Sequence, residues 1–324
     1  MGVIHVKKCF PTVLAATLAL GLAACGQPAD NNTGNTASSQ AATTGQISVT
    51  SKAGDISVPA DVSKIAVLDY TSLDTLQALD ATDKVIGLPL SSNVPASLAS
   101  FKTDKYADFG AVNNVNLEKL AAAQPQLVIS ADRLQKQLDA LKQVAPTYYY
   151  SLDLNNYWQS FHEQTLNLAK LVGKTSVAEQ KLKALDEEAA KLSTKTQGKT
   201  ALIVLVNNDK LMAFGKHSRF GLIHDKLGFT PADESIKVGT HGQSVSYEYI
   251  AEKNPDYLFI IDRASAVTGK TGGAETALNN DIINQTKAAK AKQIVYLDAN
   301  DWYLMNGGLN AMHNMIAEVS AAVK

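Results

Sequence analysis

Short apolar runs separated by longer amphipathic stretches recur along the chain, and that rhythm predicts alternating strands and helices. In the first half Ile65-Ala66-Val67-Leu68, Val85 to Leu88 and Leu127-Val128-Ile129 read as buried strands. In the second half Ala201 to Val206, Tyr257 to Ile261 and Ile294 to Leu297 do so. Helical spacing runs over Ser72 to Leu79, Asn116 to Ala123, Phe220 to Leu227, Glu275 to Lys290 and Gly308 to Val323. Strands that are apolar on both faces and separated by helices imply mainly parallel sheets covered on either side, an α/β architecture.

Between the halves, Tyr157 to Lys195 has no proline and is rich in Leu, Ala, Lys and Glu, which favours helix. Leu166, Leu168, Ala169, Leu171 and Val172, then Leu182, Leu185 and Leu192, form an apolar stripe interrupted at Gly173. One long helix over 157–195, rising ~1.5 Å per residue, is expected to join an N-terminal α/β lobe (47–156) to a C-terminal one (196–324).

An internal repeat supports two related lobes. Asn116-Leu117-Glu118-Lys119-Leu120-Ala121-Ala122-Ala123-Gln124-Pro125-Gln126-Leu127-Val128-Ile129 is echoed by Ser246-Tyr247-Glu248-Tyr249-Ile250-Ala251-Glu252-Lys253-Asn254-Pro255-Asp256-Tyr257-Leu258-Phe259. Each copy continues to an Asp-Arg pair, Asp132-Arg133 and Asp262-Arg263; Glu to Pro is seven residues in both, and Glu to Arg fifteen. Each copy reads as helix, proline stop, buried strand and a polar turn at the strand's C-terminal edge. Ligands of open α/β sheets sit beyond such edges, so each lobe would present one arginine to a shared cleft.

The first residues concern export. Lys7 and Lys8 precede an apolar run from Phe10 to Leu22, placed like a signal-peptide core and short for a transmembrane helix. The run ends in Leu22-Ala23-Ala24-Cys25, which resembles the site cut by bacterial lipoprotein signal peptidase. Residues 1–24 are then the signal peptide and Cys25 the lipidated N-terminus. Residues 25–46, rich in Asn, Thr, Ser, Ala and Gly, form a flexible tether. The expected location is extracytoplasmic, lipid-anchored to a bacterial membrane on its periplasmic side or at the cell surface. The two cysteines are Cys9 and Cys25, so the body beyond the tether has neither a disulfide nor a thiolate metal site. A formal net charge of −1 gives no support to nucleic-acid binding.

Taken together, lipobox, paired lobes and repeated Glu-to-Pro segments resemble the periplasmic binding proteins that serve siderophore, haem and cobalamin ABC importers. The resemblance implies two Rossmann-like lobes joined by a long helix, as in class III binding proteins. It further implies a partner permease, a monomer and no enzymatic activity. Three segments, Ser218-Arg219-Phe220-Gly221-Leu222-Ile223-His224-Asp225, Lys237-Val238-Gly239-Thr240-His241-Gly242 and Asp301-Trp302-Tyr303-Leu304, look like the catecholate-siderophore branch. That branch includes receptors for petrobactin and for enterobactin or its linear bis-catecholate fragments.

The residue chemistry agrees with an anionic iron(III)–siderophore as ligand, with no permanently bound cofactor. Catechol oxygens bind iron(III) as deprotonated hard donors, and arginine forks stay protonated and can bond several oxygens or stack on rings. Arg133, Arg219 and Arg263 match the arginines that surround catecholates in the branch. His241 and Tyr303 match the pair that completes iron coordination when a siderophore offers four oxygens, and imidazole and phenolate both suit iron(III); Tyr247 and Tyr249 are rival phenols. Glu118 and Glu248 match the paired glutamates that meet arginines on the permease. His224, beside Leu222, Ile223 and Leu227, reads as packing.

Other readings compete. Ala264-Ser265-Ala266-Val267-Thr268-Gly269-Lys270-Thr271 fits a relaxed P-loop of a nucleotide-binding enzyme, but Gly272 and Gly273 follow where its helix should begin, so a mobile surface loop is expected. A zinc or manganese receptor would need several converging His and carboxylates. A haem or cobalamin receptor shares the architecture and is the main alternative.

Overall fold

The computed structural model describes residues 45–323 apart from Asp209, Val238 and Thr240. The expected signal peptide, the lipidation site Cys25 and the tether up to residue 44 lie outside the described residues, as do two positions of the Lys237–Gly242 loop. The described chain opens on an antiparallel hairpin, β1 (Gln46–Ser51) and β2 (Gly54–Pro59), so the last expected tether residue already belongs to a strand.

The first half continues with β3 (Ile65–Val67), β4 (Val85–Leu88), β5 (Ala107–Asp108), a small hairpin of β6 (Gly110–Ala111) and β7 (Asn114–Val115), β8 (Leu127–Ala131) and β9 (Thr147–Tyr150). Five of these strands form a parallel sheet in the order β5-β4-β3-β8-β9. The second half contributes β10 (Thr200–Asn207), β11 (Lys210–Phe214), β12 (Thr230–Pro231), β13 (Gln243–Val245), β14 (Tyr257–Asp262) and β15 (Ile294–Leu297). Its sheet runs β13-β11-β10-β14-β15, with β12 beside the start of β10. Here β10, β14 and β15 are parallel, while β11 and β13 join antiparallel.

Strand alternation sorts the core. Ile65, Val67, Leu127 and Ile129 face one large cluster, which also takes Ala201, Ile203, Tyr257 and Phe259 from the second sheet. Their neighbours Ala66 and Val128 face a private cluster under α2 (Leu117–Ala122) and α3 (Leu138–Val144). Leu202, Val204, Leu258 and Ile260 do the same in the second half. Successive side chains of a strand point to opposite faces, so each sheet has its own outer core and both share an inner one.

The expected single helix over 157–195 is two: α4 (Tyr157–Val172) and α5 (Thr175–Thr196). Gly173 adopts φ 71°, its N–H bonds Lys170 O at 3.3 Å, and Lys174 N–H bonds Ala169 O at 2.7 Å. That is a Schellman stop, which a glycine makes cheaply. Beyond it α5 turns back on α4, with Trp158 Nε1 donating to Asp186 Oδ1 at 2.7 Å. The link to the second sheet is therefore α5, which runs into β10.

The stretch from Glu275 to Lys290 is also divided, into helices Gly273–Leu278, Asp281–Asn284 and Lys287–Lys290. Asn280 and Thr286 side chains accept from Ile283 and Ala289 amides, so each restarts a helix as an N-cap. The last helix, Leu309–Ala322, has no side-chain cap of its own. Its first amides are met instead by the first half: Asp74 Oδ2 accepts from Asn310 N at 2.8 Å and Ala311 N at 3.1 Å.

Candidate functional site

The two repeat copies place their arginines as their offsets require. Gln124 and Asn254, each just before the proline, both take positive φ, 50° and 42°. Each ends its helix sharply and turns the chain into β8 or β14. Arg133 follows β8 in a 3₁₀ turn, Asp132–Gln137. Arg263 opens a short helix, Arg263–Thr268, at the end of β14. The expected loop over 264–271 is instead helical as far as Thr268, with Asp262 capping the helix by accepting from Ser265 N at 3.1 Å, and a P-loop would hold an open turn at that place.

Both arginines meet at Tyr303, and Arg219 joins them. Arg133 Nη2 donates to Tyr303 O at 3.3 Å, Arg219 Nη2 to the same oxygen at 2.9 Å, and Arg263 Nε to Tyr303 Oη at 2.9 Å. The guanidinium carbons lie 5.2, 4.4 and 5.7 Å from the ring centroid, all within cation–π range. Burial pushes the Tyr303 phenol up, but the Arg263 hydrogen bond and the charges of Arg219, Arg133 and Arg263 outweigh it and hold the phenol below its usual value. Among the described residues no carboxylate forms an ion pair with any of the three arginines. Unpaired guanidinium groups gathered in this way await an anion.

Local structure fixes each group. Tyr303 lies in a π-helical turn, Asn300–Leu304, a form often found at functional sites. Trp302 beside it is fully buried and donates to Glu318 Oε2 at 2.9 Å, which clamps the turn to the last helix. Phe220 is buried edge-on to Phe214, and Asn306 Nδ2 bonds Arg219 O at 3.1 Å, so the Arg219 backbone is held on both sides. Arg263 is braced by Asn207 Oδ1 at 3.2 Å. Gly242, after His241, has φ 74°, and a β-carbon there would approach the Phe214 ring to 2.7 Å, so this turn requires glycine.

A cavity of about 950 Å³ opens beside this cluster. Arg133, Arg219, His241 and Tyr303 line it; Arg263 does not, reaching Tyr303 from behind. His241 is exposed. The rival Tyr249 is occupied elsewhere, donating to Asp233 Oδ2 at 2.7 Å, and neither it nor Tyr247 lines the cavity. His224 is buried, with Nδ1 3.1 Å from Phe229 O, and burial pushes it down to about 4, consistent with packing. Glu118 and Glu248 are both exposed, each the second residue of its helix, capped by Asn116 and Ser246. Among the described residues no group of three or more His, Cys, Asp or Glu could hold a metal ion.

Sequence reasoning missed several lining residues. Lys52 sits at the tip of the β1–β2 hairpin, its Nζ donating to Ser151 Oγ at 3.1 Å. Asp69, Asp153 and Glu163 also face the cavity. Asp69 caps α1 (Tyr70–Ala78) through Oδ1, accepting from Ser72 N at 2.8 Å, while its buried Oδ2 has no hydrogen-bond partner among the described residues. Burial pushes this carboxyl up to about 6, against the hydrogen bonds from Ser72.

Residues 65–300 match the Periplasmic binding protein family. The chain belongs to that family. Its members are binding proteins, not enzymes. This periplasmic binding protein is 37% identical over 317 residues to the petrobactin-binding protein YclQ of Bacillus subtilis (strain 168), covering 97% of this chain and 98% of YclQ. The crystal structure of YclQ superposes with a TM-score of 0.83 at 38% identity, over 86% of this chain and 99% of that one. The ferric-anguibactin-binding protein FatB of Vibrio anguillarum is 30% identical over 263 residues, 79% of this chain and 81% of FatB. The periplasmic catecholate-siderophore binding protein VctP of Vibrio cholerae superposes with a TM-score of 0.81 at 27% identity, over 86% of this chain and all of that one. The fold is that of class III periplasmic binding proteins.

Proposed function

We propose that this chain captures an iron(III)–catecholate siderophore outside the cytoplasm and delivers it to an ABC importer. The observation that carries the reading is the cluster of three arginines around Tyr303, without carboxylate partners among the described residues, beside a cavity of about 950 Å³. A ferric catecholate is bulky and anionic, and such a site supplies positive charge without stripping the metal. Relatives whose names specify petrobactin, ferric anguibactin and catecholate siderophores support the same class; none of these names specifies haem or cobalamin.

Within this reading Arg133 and Arg219 neutralise catecholate oxygens, and His241 and Tyr303 close the coordination sphere of a tetradentate ligand. Arg263 acts through the Tyr303 phenol. Glu118 and Glu248 dock the permease, one from each lobe, with residues 47–156 and 196–324 as the lobes. Cys25 carries the lipid, and the receptor works as a monomer.

Titration of the purified protein against ferric bis- and tris-catecholates, ferrichrome, haem, cobalamin and zinc tests the reading. Ferric catecholates should bind most tightly and quench tryptophan emission, because Trp302 adjoins Tyr303. Equal or tighter binding of ferrichrome or haem would defeat it.

A further inference from the structure

Buried carboxylates are few among the described residues, and one of them touches the ligand cavity. Asp69, Asp74 and Asp301 are 7%, 1% and 8% exposed. Asp74 and Asp301 spend oxygens on structure: Asp74 Oδ2 accepts from the Asn310 and Ala311 amides, and Asp301 Oδ2 from Asn314 Nδ2 at 3.1 Å. Neither lines the cavity, whereas Asp69 does. One Asp69 oxygen caps α1, while Oδ2 is buried without a hydrogen-bond partner among the described residues.

The groups around Asp69 give it neither a counter-charge nor a spare donor. From β9, Tyr148 and Tyr150 feel its charge, but Tyr148 Oη donates to Gln164 Oε1 at 2.6 Å and Tyr150 Oη to Gly307 O at 2.8 Å. Asp132, at the end of β8, repels it. Glu163 of α4 shares the cavity wall, and Lys52 of the first hairpin donates to Ser151 Oγ. Arg133 and Arg219 lie on Tyr303 O. Among the described residues Asp69 has no ion-pair partner. A buried oxygen in this position is costly when ionised and much less so when the carboxyl is neutral. Burial, with a smaller push from Asp132, accordingly raises this carboxyl to about 6 against the hydrogen bonds from Ser72.

We propose that Asp69 is a proton site coupled to ligand capture: an anionic complex entering the cavity drives a proton onto its carboxyl, so that a proton is taken up with the cargo. This coupling rests on the ferric-catecholate reading and adds a pH dependence to it. Negative charge brought into the same enclosure disfavours the ionised carboxyl further. The effect is carried by charge rather than contact, since Oδ2 is itself buried. Because protons are taken up on binding, affinity rises as pH falls towards about 6, where the free protein already holds the proton, and levels off below. Asp153 adds no such dependence, because hydrogen bonds from Asn156 and Asn155 hold its exposed carboxyl below the usual range.

A hexadentate ferric tris-catecholate is titrated into the wild-type protein and Asp69→Asn at about pH 8 and about pH 6. Asparagine keeps an oxygen for the Ser72 cap and has the charge of a protonated carboxyl; the unfolding midpoint checks the fold. For an about tenfold rise in proton affinity on binding, the variant should bind about tenfold more tightly than wild type at the higher pH and within about twofold at the lower. Calorimetry in buffers of different ionisation enthalpy should show wild type taking up about 0.4 proton per complex more than the variant at about pH 7. The same affinity ratio at both pH values overturns the proposal and leaves the catecholate reading intact. Absence of proton uptake by the wild type does so too, whatever the variant does. Failure of the complex to bind either protein overturns the catecholate reading and this coupling with it.

Discussion

The ends of β8 and β14 are two versions of one sequence that have taken different work. Each delivers an Asp-Arg pair from a buried parallel strand, preceded by a helix, a left-handed residue and a proline. After β14, Asp262 is consumed in structure: Oδ1 accepts from Ser265 N and Oδ2 from Ala274 N, both at 3.1 Å. The chain is thereby committed to a helix, and Arg263 is drawn behind Tyr303 onto its phenol oxygen. After β8, Asp132 caps nothing and faces the cavity near Ser151. The turn stays open, and Arg133 reaches Tyr303 from the cavity side. A repeat transmits where a side chain starts; the next few hydrogen bonds decide what it touches.

The largest effect expected from equivalence between the copies lies at their other ends. Glu118 and Glu248 hold the same position in capped, exposed helices. Glu118→Ala combined with Glu248→Ala should abolish siderophore uptake through the partner importer while solution affinity stays at the wild-type value. Normal uptake by cells carrying the double variant would show that the pair is ordinary surface charge.

The arginines should break the equivalence. Arg133→Ala should weaken tetradentate and hexadentate ferric catecholates alike, by ~10-fold or more, because a charge-assisted contact of ~1.5–3 kcal/mol is lost whatever the denticity. Arg263→Ala should weaken the tetradentate complex by a similar factor and the hexadentate one far less, since its partner is the Tyr303 phenol. His241→Ala with Tyr303→Phe should follow the Arg263 pattern and lose the phenolate-to-iron absorption. Binding titrations with both ligand types decide the matter: parallel losses for Arg133→Ala and Arg263→Ala would return Arg263 to direct contact with the siderophore.

How far the sequence discloses the molecule depends on which forces act locally. The parallel strands were legible because they are buried on both faces, so Leu127 to Ile129 and Tyr257 to Ile261 are plain apolar runs. The antiparallel additions were not. The Ile47/Val49 and Ile56/Val58 alternation of the first hairpin is short and borders a polar tether, and β11 depends on pairing with β10. Gly173 was visible as an interruption, yet the reversal of α5 onto α4 comes from tertiary contacts such as Trp158 with Asp186. Of the site, Arg133, Arg219, His241 and Tyr303 were legible through repeat and motif. Lys52, Asp69, Asp153 and Glu163 were not, because solvated and site carboxylates look alike in a sequence and only the fold brings them to one wall.

The smallest difference between the two strand ends should be one of stability alone. Asp262 satisfies two helix-start amides, Ser265 N and Ala274 N, that no other side chain among the described residues reaches. Removing a cap of this kind costs about 1–2 kcal/mol, because the amides lose an acceptor that geometry had reserved for them. Asp132 accepts a long bond from Ser151 Oγ at 3.4 Å and is exposed, so its loss should change stability by no more than ~0.5 kcal/mol. Denaturant unfolding of Asp262→Ala and Asp132→Ala, compared at equal slope, should give a lower midpoint for the first and a near wild-type midpoint for the second. Asn at 262 should recover most of the loss, since an amide oxygen can cap as a carboxylate does. Matching midpoints for the two alanine variants would mean that Asp262 holds the turn no more firmly than Asp132, and that the divergence of Arg133 from Arg263 has another cause.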